Sequence, residues 1–194
     1  MTFMEVYPPH NGALVLNDPL TDNSKGYRWS EASISGVASC GFSKGSYHMV
    51  ESRTKTFDQC VANATNFDNF AYQAEMTILK GDCGGLVFRA DNSRSNFYIF
   101  EVCSDGTYGF AINTGNTRKY LITHTTNSAI KTGPNQRNII AVVVNGTSIQ
   151  MYVNNKLVDK ITDGTFVRGQ IGLLVNNFTG PTEVIYNNAK VWKL

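Results

Sequence analysis

"DCGGLVFRADNSRSNFYIFEVCSD" (82–105) sets two cysteines, Cys83 and Cys103, at nearly equal distances from a polar centre. If the segment 91–96 (DNSRSN) reverses the chain, residues whose numbers sum to 186 face each other across an antiparallel pair. Leu86 then opposes Phe100, Phe88 opposes Tyr98, and Cys83 opposes Cys103. Directly opposed residues have Cβ atoms about 4.5–5.5 Å apart, close to the spacing a disulfide needs. The symmetry therefore predicts a cystine that staples two neighbouring strands. The remaining pair, Cys40 with Cys60, then closes a loop of about twenty residues, worth roughly 3 kcal/mol in the loop-entropy model.

Side chains alternate between the faces of a strand, so the same register sorts them. Leu86, Phe88, Tyr98, Phe100 and Val102 share one face; Val87, Arg89, Phe97, Ile99 and Glu101 share the other. Carrying the register through the turn signal Asp105-Gly106 adds Tyr108, Phe110 and Ile112 to the second face. Both faces are apolar enough to be covered, as in the central strands of a sandwich. Only the second carries charge, and an unpaired charge is costly to bury, so that face is expected to border solvent or a cleft. Arg89 and Glu101 are thus candidate ligand residues. A salt-bridged pair on an exposed sheet is the alternative reading.

The rest of the chain repeats the pattern. Helical periodicity is nearly absent, while short β-rich runs closed by Gly, Asn or Asp recur from "ALVL" (13–16) to "EVIYNNAKVWK" (183–193). Asp105-Gly106, Asn145-Gly146 and Asn154-Asn155 are three successive hairpin signals. About a dozen strands at this spacing indicate an all-β sandwich or barrel. Pro8-Pro9 cannot donate ladder hydrogen bonds, so residues 1–12 read as a tether and 13–194 as one domain.

Composition narrows the function. The 194 residues are 42% hydrophobic and 11% aromatic, enough for a substantial core, with only 16% charged residues and a formal charge of +2. Without clustered Lys or Arg, nucleic acid is not an expected partner. No apolar window reaches membrane-spanning length, so no membrane insertion by this chain is expected. The opening "MTFMEVYPPHNG" does not resemble a signal peptide, yet four evenly paired cysteines suit an oxidising compartment. Together these facts predict an extracytoplasmic piece of a larger exported protein. The Asn-, Ser-, Thr- and Gly-rich surface suits a sugar binder.

Catalytic signatures are sparse. His10, His48 and His124 lie far apart and outside any metal-hydrolase spacing. "GFSKG" (41–45) matches G-x-S-x-G, but no helix follows Ser43 to form the required elbow. Glu101 and Asp105 are four apart, but Asp105 falls in the proposed turn, and no Glu-x-Asp-x-x-Glu run occurs. A structural Ca²⁺ is a candidate cofactor, with Asp18, Asn17 and Asn188 as oxygen ligands. Trp29, Tyr27 and Tyr108 are candidate platforms for a sugar ring, and Trp192 a weaker one because the last strand is expected to dock. Sequons stand at Asn63, Asn145 and Asn177.

"NIIAVVVNGTSIQMYVNNKLVDKI" (138–161), then "GQIGLLV" (169–175) and "VIYNNAKVWKL" (184–194), resembles the closing half of concanavalin A-like, laminin-G-like jelly rolls. "YPPHNGALVLNDPLTDNSKGYRW" (7–29) with "MTILKGDCGGLVFRAD" (76–91) looks like extracytoplasmic domains of Chloroflexota (Ktedonobacteria-type) surface proteins, some attached to serine/threonine protein kinases. The resemblance implies an antiparallel two-sheet β-sandwich that binds a glycan or a surface protein. It implies scaffold roles for Gly146, Tyr152 and Gly172, and it transfers no functional residue. The expected function is non-catalytic recognition of carbohydrate. The rivals are a self-assembling subunit that donates its N-terminal segment as a strand, and a glycoside hydrolase.

Overall fold

The computed structural model describes Tyr7 and residues 12–194. In chain order the strands are β1 (Ala13–Asp18), β2 (Ala32–Ile34), β3 (Ala38–Ser43), β4 (Ser46–Glu51), β5 (Thr56–Val61), β6 (Phe70–Lys80), β7 (Cys83–Asp91) and β8 (Asn96–Cys103). They continue as β9 (Thr107–Thr114), β10 (Thr117–Thr126), β11 (Arg137–Asn145), β12 (Ser148–Val153), β13 (Lys156–Thr162), β14 (Gln170–Asn177) and β15 (Thr182–Lys193). One sheet has nine strands in the order β13-β12-β11-β6-β15-β4-β3-β2, with β1 added beside β15. The other has six, in the order β10-β9-β8-β7-β14-β5. The pairings within both are antiparallel, so the chain is an all-β jelly-roll sandwich.

The stretch that opened the reading folds as its symmetry predicts. β7 and β8 pair with Cys83 opposite Cys103, Leu86 opposite Phe100 and Phe88 opposite Tyr98. Both cystines form, Cys83–Cys103 and Cys40–Cys60. Leu86, Phe88, Tyr98, Phe100 and Val102 point between the sheets, where they meet Phe70, Tyr72, Val142, Leu173 and Tyr186. Each such side chain contributes about 1.5–3 kcal/mol when fully buried. Tyr186 spans the layers: its hydroxyl accepts the Gly85 N–H at 2.7 Å and donates to the Leu174 carbonyl at 2.5 Å.

Two local departures redirect side chains. Between β8 and β9 the loop has three residues, not two: the Gly106 N–H bonds the Cys103 carbonyl and Gly106 takes φ +89°. This is a type I turn closed by a left-handed glycine. The extra residue shifts the register by one, and a one-residue shift exchanges the faces of a strand. Val102 therefore opposes Tyr108, and Tyr108, Phe110 and Ile112 lie between the sheets, not on the outward face expected for them. The second departure is at Arg89, in the left-handed region at φ +47°, where the β7–β8 register breaks between Phe88 and Asp91. The bulge takes Arg89 out of alternation.

Most of the expected tether, 1–12, lies outside the described residues. Tyr7 within it is buried against Tyr152, with ring centroids 4.9 Å apart, and its hydroxyl bonds Gln73 on β6. Among the described residues no helix is long and apolar enough to cross a membrane.

Candidate functional site

The outward face of the six-stranded sheet is laid out by register. Glu101 on β8 has Gly85 of β7 on one side and Gly109 of β9 on the other. A Cβ at Gly109 would lie 3.3 Å from Glu101 Oε1, and one at Gly85 would meet the Phe100 carbonyl at 2.4 Å. Gly109 thus leaves room for the carboxylate, and Gly85 lets the β7 and β8 backbones approach closely beside it. Side chains from more distant strands then reach it. Asn176 on β14 donates from Nδ2 to Glu101 Oε2 at 2.7 Å. On β10, register breaks on both sides of Ile122 curl the strand over the face and bring Tyr120 and His124 to the same place. His124 Nε2 stands 3.0 Å from Glu101 Oε1, a close ion-pair contact although poorly aligned as a hydrogen bond.

Glu101 is fully buried. Burial alone would raise its carboxyl, but His124, Asn176 and Tyr120, with the charge of Arg118, outweigh burial and hold it below the ordinary value. In return Glu101 raises the His124 imidazole against the opposing effect of burial. Burial, and next to it the Glu101 charge, pushes the Tyr120 phenol up to about 12. Arg118 lies over the Phe57 ring, 3.5 Å from its centroid, with Nη1 3.5 Å from the Tyr120 hydroxyl. The cluster is an anchored carboxylate surrounded by cationic and donor groups.

Hollows flank this cluster. One, of about 210 Å³, is bounded by the Cys83–Cys103 disulfide, Ser104, Asp105, His124 and Phe178. Phe178 stands edge-on to His124, centroids 5.1 Å apart at 87°, and is 36% exposed. Asp82 fixes its position: Oδ2 accepts the N–H groups of Phe178 and Thr179 at 2.7 and 2.8 Å, and Oδ1 accepts the Thr179 hydroxyl at 2.8 Å. These bonds hold the Asp82 carboxyl below its ordinary value despite burial. The other hollow, of about 270 Å³, is bounded by Phe57, Phe97, Gln59, Asn113 and Asn116.

The structure separates the residues singled out from sequence. Glu101 is on the outward face, but Arg89 does not join it. Arg89 is buried, and its guanidinium donates to the Asp68 carbonyl at 2.7 and 3.2 Å and to the Phe166 carbonyl at 2.9 Å. It clamps two loops at the far end of the sheet. Tyr108 is buried and donates to Asp159 Oδ2 at 3.0 Å, and Trp29 is buried with Nε1 donating to Asp18 Oδ2 at 3.0 Å. Neither offers a ring to solvent. Tyr27 and Trp192 are half-buried against apolar clusters. Asp18 is buried and accepts the Leu20 N–H at its other oxygen, 2.8 Å, while Asn17 and Asn188 are exposed and the Asn188 N–H bonds the Pro19 carbonyl. Asp18→Ala is expected to cost about 1–3 kcal/mol by orphaning both donors. Urea unfolding checks this, and a loss under 0.5 kcal/mol, roughly a surface value, contradicts it.

His124, Phe178, Arg118, Tyr120 and Asn176 were not marked from sequence. A usable signal was present for some of them. The glycines opposite Glu101 on both flanks follow from the β7–β8 register and the correct turn length, and a carboxylate with no side chain beside it calls for partners from the next strands out.

No protein-family model matches the chain, and no curated protein matches it in sequence. Solved structures share its fold. The carbohydrate-binding module CBM66 from Bacillus subtilis superposes with TM-score 0.70 at 18% identity, covering 86% of this chain and 96% of that one. A galectin-like protein of unknown function from Bacillus subtilis gives 0.69 at 13% identity, covering 94% and 96%. The Bacillus licheniformis β-glucanase gives 0.59 at 14% identity, covering 95% and 99%. At these identities the likeness establishes the sandwich fold. The chain shares that fold with sugar binders and sugar hydrolases alike.

Proposed function

We propose that this domain is a non-catalytic, extracellular carbohydrate-recognition module whose binding surface is the outward face of the six-stranded sheet. The observation that carries the reading is the hollow beside Phe178. An exposed aromatic ring, fixed by Asp82, stands against a pocket about the size of one sugar ring, with His124, Asp105 and Ser104 at its rim. Aromatic faces pack on the C–H side of a pyranose while polar neighbours fix its hydroxyls. On this reading the domain works outside the cytoplasm. The two cystines suit that compartment.

The carboxylates favour binding over hydrolysis. Glycosidases place two carboxyls about 5–9.5 Å apart, and one must carry a proton at working pH. Glu101 is buried and held ionised by its neighbours, and Asp82 spends its oxygens on backbone and hydroxyl donors. Neither is suited to deliver a proton, and Asp105, the third carboxylate at the hollow, already accepts the Thr107 N–H and hydroxyl at 2.9 and 2.7 Å.

A glycan array followed by affinity electrophoresis tests the proposal. Phe178→Ala and His124→Ala are each expected to weaken retention about 10-fold, the equivalent of 1.4 kcal/mol, with no reducing sugar released from the bound ligand. Unchanged retention in both variants, or steady sugar release, overturns it.

A further inference from the structure

A further hollow lies at the opposite end of the six-stranded sheet from the Cys83–Cys103 disulfide and has a different chemistry. Its volume is about 590 Å³. Its walls come from the segment after β5, the β7–β8 turn and the segment entering β14, contributing Asn63, Asn66, Asn92, Ser93, Arg168 and Gln170. Among the described residues no aromatic side chain lines it.

These walls are fixed by the backbone. Phe67 and Gly169 exchange N–H···O bonds at 2.8 and 3.0 Å. Arg89 grips the carbonyls of Asp68 and Phe166 behind them. Gln170 Nε2 donates to the Asn63 carbonyl at 3.3 Å, and Arg168 Nε donates to Asn66 Oδ1 at 3.3 Å. That bond leaves the terminal nitrogens of Arg168 without a hydrogen-bond partner among the described residues, and the Asn92 amide likewise. The acid in the hollow, Asp91, already accepts the Ser93 hydroxyl at 2.6 Å and faces Arg94 at 3.5 Å.

We infer that this hollow is a second carbohydrate site, which takes a neutral oligosaccharide edge-on through its vicinal hydroxyls. The Asn92 amide offers a donor and an acceptor close together, the complement of a pair of adjacent hydroxyls; the Asn66 amide nitrogen and the Gln170 side-chain oxygen add one donor and one acceptor beside it, and the Arg168 guanidinium adds parallel donors. Without an aromatic platform the ring cannot stack, so recognition runs through hydroxyl edges, unlike the hollow at Phe178. The greater volume, 590 against 210 Å³, accommodates more than one sugar unit. Two sites at opposite ends of one sheet let a single domain bridge strands of a polysaccharide, and binding at the second site then gains from a high effective concentration. The inference rests on the same reading of the ligand as carbohydrate.

The test is a ¹H–¹⁵N NMR titration of the full chain, produced in a host without N-glycosylation because Asn63 heads a sequon. The probes are cellotetraose, xylotetraose, laminaritetraose and mannotetraose. At least one is expected to shift the side-chain signals of Asn66, Asn92, Gln170 and Arg168 saturably. In Asn66→Ala/Arg168→Ala that binding is expected to weaken at least about 10-fold, while Phe178→Ala leaves it intact. Shifts confined to His124 and the Phe178 end overturn the second site and leave the first standing. Shifts that persist unchanged in the double variant also overturn it. Silence at both ends with all four sugars defeats this inference together with the carbohydrate reading on which it rests.

Discussion

Glu101→Ala is expected to lower folding stability by about 3 kcal/mol, near the bottom of the range for breaking a buried ion pair. The substitution strands the Asn176 amide and removes the charge that Arg118 and His124 face. The loss stays near the low end because the His124 side chain is 30% exposed and can release its proton to water. Urea unfolding at about pH 5.5 gives the value directly. A loss below about 1 kcal/mol would mean that the cluster behaves as an ordinary surface pair.

The pH dependence of the same pair has a definite sign. Glu101 is depressed below its unfolded value of 4.5, so its contribution is present above that pH and is lost as pH falls through the folded value. His124 is raised above its unfolded value of 6.5, so its contribution is complete below that pH and is lost as pH rises through the folded value. Both contributions are whole between 4.5 and 6.5. The stability difference between wild type and His124→Ala is therefore expected to peak in that window and to shrink on the alkaline side. A difference that grows from about pH 6 to pH 9 would contradict the ion pair.

Cys40→Ala/Cys60→Ala is expected to cost about 3 kcal/mol, the loop-entropy value for the observed separation of 20 residues. This cystine joins β3 of the nine-stranded sheet to β5 of the six-stranded sheet, so it ties together layers that otherwise meet through side chains. Cys83–Cys103 joins strands already paired in register, and its separation is also 20. The entropy term is the same for both, yet removing the inter-sheet link is expected to open the β2–β5 end first. Hydrogen exchange on the double variant reads this as faster exchange in β3 and β5 than in β7 and β8. Equal acceleration in all four strands would contradict it.

Much of the fold was legible because one stretch, 82–105, combines symmetric cysteines with alternating apolar residues, and that fixes register as well as strand identity. β5 is hard to read as a strand because "TFDQCV" mixes polar and apolar residues without clean alternation, and β3 because "ASCGFS" is built mostly of small residues. The site was harder to read. Asp105-Gly106 signals a turn but not its length, and the one extra residue moved Tyr108 from the outward face into the core. Arg89 sits at a bulge, which strand alternation cannot foresee. His124 reaches Glu101 only because β10 breaks register twice, and nothing in "TRKYLITHTT" announces those breaks. Glu101 was singled out as a ligand residue on a face expected to border solvent or a cleft; it is instead fully buried, satisfied by partners from strands distant in sequence.

The most direct test of the account is a crystal structure of the domain with the tightest ligand from the glycan array. The account predicts a sugar ring packed on Phe178, with its hydroxyls bonded to His124 and Asp105 and with Glu101 beneath, out of contact. A ligand seated on the nine-stranded sheet, with the Phe178 hollow empty, would contradict it.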